Sequence, residues 1–264
     1  MTAAPREPTA AFSLAARLRS GAGALAGWVG FPDPIFTEAV ARSDFDAVVL
    51  DVQHGLHDAV SVVHGIAAVV AAGKPALVRV PVEDFALASR ALDFGAAGVI
   101  APMINSAADA RRLVEFAKYP PRGRRSWGPG RAMVLGGNGS REAYLAQADG
   151  LTLALAMIET REGLAALDDI LAVDGIDGVF VGPNDLCIAL TDGAVVDPQA
   201  RLLDEPLARI VAAARAAGKV AGIFGGSGAR AGELARRGFG LVTVGYDTAY
   251  VAAGIEGMLA AAKG

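Results

Sequence analysis

Cysteine is almost missing from this chain: Cys187 is the only one in 264 residues. It can form no intramolecular disulfide and no cysteine-built zinc framework, and its apolar neighbours make it a buried residue rather than a reactive one. Lysine is scarce too, with only Lys74, Lys118, Lys219 and Lys263, and there are three histidines. A net charge of −4 offers no basic face of the kind that grips nucleic acid. No apolar run approaches the roughly 20 residues of a membrane span. The first dozen residues include Pro5, Arg6, Glu7 and Pro8 without an apolar signal core, so a cytoplasmic protein with no membrane partner is expected. Residues 1–12 are expected to form a flexible N-terminus and residues 13–264 one domain.

What is abundant is apolar residues, 53% of the chain, enough for an extensive core. They fall into short runs: Ala24 to Val29, Ala47 to Asp51, Ala76 to Val80, Gly98 to Ala101, Leu151 to Glu159, Gly178 to Gly182, Val220 to Phe224 and Leu241 to Gly245. Helical stretches are expected near 34–43, 58–72, 83–94, 106–118, 161–173, 204–217, 228–237 and 247–262. Sequential strand-then-helix units imply parallel strands with crossover helices. Eight of them is the number that closes a barrel. The expectation is a single-domain (β/α)₈ TIM barrel, with an open doubly wound sheet as the runner-up.

The most informative stretch is Val48-Val49-Leu50-Asp51-Val52-Gln53-His54-Gly55. A run long enough for a buried strand ends in a carboxylate, and an imidazole follows. An unpaired charge is too costly to bury, so Asp51 and His54 belong on a rim. In a barrel, function gathers at the carboxyl ends of the strands. Arg79, Glu159 and Asp185 fall at such ends as well. Glu159 and Asp185 follow neighbouring strands, about 5 Å apart, and two carboxylates with room for water and substrate oxygens suit a hard divalent cation, Mg²⁺ or Mn²⁺. The alternative is that each merely caps or charges the first turn of the helix that follows.

These residues carry a resemblance. The segments Leu50-Asp51-Val52-Gln53-His54, Val78-Arg79-Val80 and Leu92-Asp93-Phe94-Gly95-Ala96 resemble the HpcH/HpaI aldolase family. So do Tyr119-Pro120-Pro121-Arg122-Gly123-Arg124-Arg125, Met157-Ile158-Glu159-Thr160 and the run from Gly175 to Leu186. The similarity extends from about Gly27 to the C-terminus, with the motifs in matching order. It implies a metal-dependent (class II) pyruvate aldolase on a TIM barrel, a homohexamer of three dimers that exchange their C-terminal helices. It also implies Glu159 and Asp185 as metal ligands, with Co²⁺ and Zn²⁺ as further candidate ions. Arg79 matches the arginine that binds the substrate carboxylate and steadies the enolate. His54 matches the catalytic histidine, Asp51 the carboxylate that orients it, and Asp93 a supporting acid near the subunit boundary. Gly182, Pro183 and Asn184 fall in the motif that contacts substrate.

The chain departs from the best-known members at three places: Gln53 where they have Glu, Met157 where they have Gln, and Ser126 where they have Gly. Arg125-Ser126-Trp127-Gly128-Pro129 and the run from Gly222 to Gly228 look closer to a hydroxy-ketoacid aldolase branch that accepts hydroxypyruvate as well as pyruvate. The expected reaction is cleavage or formation of 4-hydroxy-2-oxo acids from a 2-oxo acid and an aldehyde. Two alternatives stay open: a citrate-lyase-like acyl-CoA lyase, which would need a basic groove, and a non-catalytic ligand-binding barrel.

Other features admit plainer readings. A lysine Schiff base is ruled out by position, since Lys74 and Lys219 precede strands, Lys118 ends a helix and Lys263 is next to last. The spacing of His54, His57 and His64 superficially suggests zinc, yet His57 and His64 fall at the start of a helix and within it. The long basic stretch 119–139 reads as a lid, with Arg125 and Trp127 as substrate contacts, or as a solvated connection. Residues 225–228 read as an anion-binding turn or simply a tight turn.

Overall fold

Eight strands pair in parallel and close in sequence order: β1 (Ala24–Val29), β2 (Ala47–Asp51), β3 (Ala76–Arg79), β4 (Gly98–Ala101), β5 (Leu153–Ile158), β6 (Gly178–Val181), β7 (Val220–Phe224) and β8 (Leu241–Thr243). The computed structural model describes residues 9–137 and 139–264. The (β/α)₈ barrel expected from the alternating segments is therefore the observed fold, and closure by the β1–β8 pair excludes the open sheet.

Side-chain alternation along the strands decides what reaches the mouth of the barrel. On β2, Ala47 and Val49 point into the barrel while Val48 and Leu50 pack outward against helices. Asp51 is next in the inward row. On β3 the inward Leu77 is followed by Arg79, and on β5 Leu153, Leu155 and Met157 lead to Glu159 just beyond the strand. The barrel interior is thus filled with apolar residues up to its last layer, and there the same rows change to charged ones.

The connecting segments differ from expectation in several places. Residues 151–152, expected to begin the fifth strand, instead end a helix, Arg141–Leu151. The long stretch after Tyr119 contains a short helix, Gly130–Gly136, and the helix expected at 161–173 is split at Ala166. Before the first strand, Ala10–Phe12 form a 3-10 turn and Ser13–Arg19 a helix. Phe12 is buried with Tyr119 and Tyr144, so packed structure begins earlier than residue 13; residues 1–8 lie outside the described residues. Cys187 is buried. Among the described residues no helix is long and apolar enough to cross a membrane.

The final helix, Asp247–Lys263, is anchored only at its start. Asp247 is buried and accepts hydrogen bonds from the backbone N–H groups of Gly30 and Phe31. Tyr250 takes the Trp28 N–H (3.1 Å) and donates to the Val244 carbonyl. From Val251 onward every residue is exposed, and Val251, Ile255, Met258 and Leu259 share one apolar face of the helix.

Candidate active site

A cavity of about 450 Å³ opens at the carboxyl ends of the strands, within the usual size of small-molecule sites. Its walls include Asp51, His54, Arg79, Gly182, Pro183, Asn184 and Asp185. Residues far apart in the chain, from the ends of β2, β3 and β6, thus meet where a barrel carries its chemistry.

Asp51 and Arg79 form the best-defined contact in the pocket. Arg79 Nε donates to Asp51 Oδ1 (2.8 Å) and Nη2 to Oδ2 (2.6 Å), a two-pronged pair that β2–β3 register sets up by placing the two residues opposite each other. The Trp28 indole N–H donates to Asp51 Oδ2 (3.2 Å), and the Arg79 guanidinium lies 4.8 Å from the centre of the same indole. Asp51 also accepts from the backbone N–H groups of Gln53 (3.1 Å) and His54 (3.4 Å). The sequence reading had Asp51 orienting the His54 ring. Here it instead secures the backbone of the loop that carries the ring, and its side-chain partners are Arg79 and Trp28.

Glu159 stands immediately behind the cavity wall. It is almost fully buried, and its Oε1 accepts the Met103 N–H (2.7 Å). Burial pushes its pKa up, opposed by the Met103 hydrogen bond and reinforced by the nearby Asp185 carboxylate. Met103 holds a left-handed backbone, φ 56°, which a non-glycine residue adopts rarely and which clusters at functional sites. Gly182 presents no side chain toward Glu159, whose Oε2 would have to move to make room for a Cβ there. The space between Glu159 and the cavity is therefore kept clear.

Two oxygen-bearing acids fit a hard divalent cation that completes its shell with water and substrate oxygens. Among the described residues, no three His, Cys, Asp or Glu side chains form a metal-holding group. That fails to support the three-histidine zinc reading, as do the burial of His57 and its ring contact to Ser61 Oγ (3.1 Å).

Other expected site residues lie elsewhere in this chain. Arg125 is buried and paired with Asp93 (Nη2–Oδ1, 2.6 Å), over the Tyr119 ring at 4.7 Å. Trp127 packs on Tyr119 and Tyr144. None of Asp93, Arg125 and Trp127 lines the cavity; they meet instead in a cluster with Tyr119 and Tyr144. The remaining loop arginines also have partners: Arg122 with Asp174, Arg124 with Glu115, and Arg131 with the Phe94 carbonyl. At residues 225–228, Ser227 caps the helix Gly228–Arg236 through the Arg230 N–H. Lys118 and Lys219 both lie at the amino ends of the strands: Lys118 pairs with Asp177 (2.7 Å) below β6, and Lys219 donates to the Val173 carbonyl.

Sequence reasoning missed Trp28, Phe224, Tyr246 and Asp247, which line the cavity, as well as Met103. Trp28 was open to discovery, since it sits two residues after an inward alanine on β1. Asp247 was not, because its partners are backbone groups some 217 positions away.

The model of the HpcH/HpaI aldolase/citrate lyase family matches residues 26–253. This chain belongs to that family. The hydroxypyruvate/pyruvate aldolase of Rhizorhabdus wittichii is 44% identical over 92% of this chain and 95% of its own. The 4-hydroxy-2-oxo-heptane-1,7-dioate aldolase of Salmonella dublin is 33% identical over 92% and 91%. Among solved structures, an HpcH/HpaI aldolase/citrate lyase family protein from Burkholderia cenocepacia superposes with a TM-score of 0.85 at 30% identity, covering 96% of this chain and 99% of that one. The protein is a carbon–carbon lyase, and its family of class II aldolases implies a divalent cation.

Proposed function

We propose that this protein cleaves and forms the C3–C4 bond of 4-hydroxy-2-oxo acids, with pyruvate or hydroxypyruvate as the donor fragment and an aldehyde as the other. The reading is supported by one observation: the Arg79 guanidinium, the His54 imidazole and the Asp185 carboxylate line a single cavity, with the buried Glu159 carboxylate near Asp185 just behind its wall. Glu159 and Asp185 are the residues that would hold the cation, with Mg²⁺ or Mn²⁺ best suited to their oxygens. When bound, such an ion supplies Lewis acidity toward the donor's oxygens as negative charge develops.

The chain's own groups do the rest. Arg79 presents a fixed, permanently charged fork to the donor's oxygens, held in place by Asp51 and the Trp28 ring. The helix starting at Pro183 leaves its first N–H groups without partners inside the helix, where a donor carboxylate can accept them. In cleavage, His54 removes the proton from the 4-hydroxyl, directly or through one water, as the C3–C4 bond breaks. In condensation it returns a proton to the new alkoxide. Asp51 fixes the His54 loop through its backbone.

The same reading extends to assembly. The exposed apolar face of the C-terminal helix supports a dimer in which that helix packs on a second copy, three such dimers making a homohexamer in the cytoplasm. Incubation of the purified protein with Mg²⁺ or Mn²⁺, pyruvate or hydroxypyruvate, and a panel of aldehydes tests the activity. A metal-dependent 4-hydroxy-2-oxo acid product is expected, and its absence from every combination would refute the proposal.

A further inference from the structure

The cavity also has an extensive apolar wall. Trp28, Met157 and Phe180 form a buried floor, while Phe31, Leu56 and Tyr246 stand at the mouth. Phe224 and Tyr246 extend the apolar wall, with their ring centres 6.4 Å apart. The charged lining groups are Asp51, Arg79, Asp185 and Asp247, with His54 and Tyr246 the remaining titratable ones. Arg79 is committed to Asp51 on two hydrogen bonds, and Asp247 to the Gly30 and Phe31 N–H groups. Among the described residues, no lysine or arginine other than Arg79 lines the cavity.

We infer that the acceptor side of this pocket selects uncharged aldehydes with an apolar tail and discriminates against aldehydes ending in a carboxylate. This rests on the aldolase reading above. An acceptor carboxylate would have to shed water against these apolar side chains without gaining a cationic partner. An alkyl or aryl tail loses only ordered water against Phe31, Leu56 and Tyr246. His54 is committed to the other end of the acceptor, because in condensation its proton goes to the new C4 oxygen. The bond change is the same for either acceptor. A proton leaves the pyruvate methyl, C3 attacks the aldehyde carbon, the carbonyl electron pair moves to oxygen, and that oxygen takes up a proton. The product has the summed atoms of donor and acceptor.

The test compares butanal with 4-oxobutanoate, which match in chain length and differ in a terminal methyl against a carboxylate, using the full chain with Mn²⁺ and pyruvate. A kcat/KM at least about tenfold higher for butanal is expected, the scale of discrimination that an unmet polar requirement produces. Equal values, or a preference for 4-oxobutanoate, would overturn the inference. Leu56→Arg, which places a cation at the mouth, should move the ratio of the two rates severalfold toward the acid; an unchanged ratio would also count against it. Exchange of the pyruvate methyl protons with solvent, measured without acceptor, separates the two levels. Exchange with the wrong acceptor preference overturns only the acceptor inference, whereas no exchange and no condensation overturns the aldolase reading and this inference with it.

Discussion

Arg79 and Asp51 are joined by two parallel hydrogen bonds of 2.8 and 2.6 Å, at the ends of adjacent strands whose register sets the two residues side by side. The pair is stacked on the Trp28 ring, so the guanidinium meets substrate in one orientation. Arg79→Lys keeps the charge and loses both the fork and the stacking. A fall of about a hundredfold or more in kcat/KM is expected, the scale seen when one charge-stabilising donor is removed from an active site. Steady-state kinetics on the purified variant would check it, and an unaltered rate would remove Arg79 from the chemistry.

Trp28 acts on the reaction through this pair. Trp28→Phe leaves an aromatic face under Arg79 but removes the indole N–H that Asp51 accepts. A loss of about three- to tenfold in kcat is expected, the worth of one hydrogen bond. Trp28→Leu, which removes the ring as well, should lose more. Equal kcat in the wild type and both variants would show that the platform has no bearing on turnover.

His54 borders the cavity on an exposed loop and is assigned to the 4-hydroxyl proton. His54→Ala should therefore slow aldol cleavage more than it slows exchange of the pyruvate methyl protons, which does not involve that hydroxyl. Measuring both rates on the same preparation tests the assignment. If the two fall together, His54 serves the donor rather than the acceptor.

The architecture and the location of this site were legible in the sequence because both follow from alternation. Eight apolar runs of strand length gave the barrel, and the inward rows Val49–Asp51, Leu77–Arg79 and Met157–Glu159 put three charges on one rim by parity alone. What escaped was anything decided by a partner distant in the chain. Arg125 and Trp127 have the composition of a substrate-gripping arm, yet Arg125 is buried against Asp93 and Tyr119, and Trp127 packs on Tyr119 and Tyr144 away from the cavity. Asp247 looks like an ordinary first-turn acid until the Gly30 and Phe31 N–H groups are seen folded back onto it. The partner of Asp51 was misjudged for the same reason: His54 is near in sequence, but strand register makes Arg79 the neighbour.

Lys118 is fully buried at the opposite end of the barrel, where it pairs with Asp177 and donates to the Asp149 and Thr152 carbonyls. Burial depresses its pKa against the pull of Asp177, and its role is to tie together the segments that feed β5 and β6. Lys118→Met should destabilise the fold by about 3–5 kcal/mol, the cost of removing one partner from a buried pair, while the folded fraction retains its turnover. Chemical denaturation with an activity assay checks both. Inactivity in the folded variant would reopen the Schiff-base mechanism.

Everything proposed for the chemistry depends on Glu159 and Asp185 holding one divalent cation between them. The most direct measurement is Mn²⁺ binding to the metal-free protein by isothermal titration, alongside turnover of pyruvate and an aldehyde after chelation and after Mn²⁺ is restored. The expected result is one bound Mn²⁺ per chain, lost in both Glu159→Gln and Asp185→Asn, with turnover vanishing on chelation and returning with the ion. Full turnover in the chelated wild type, or undiminished Mn²⁺ binding in both variants, would contradict it.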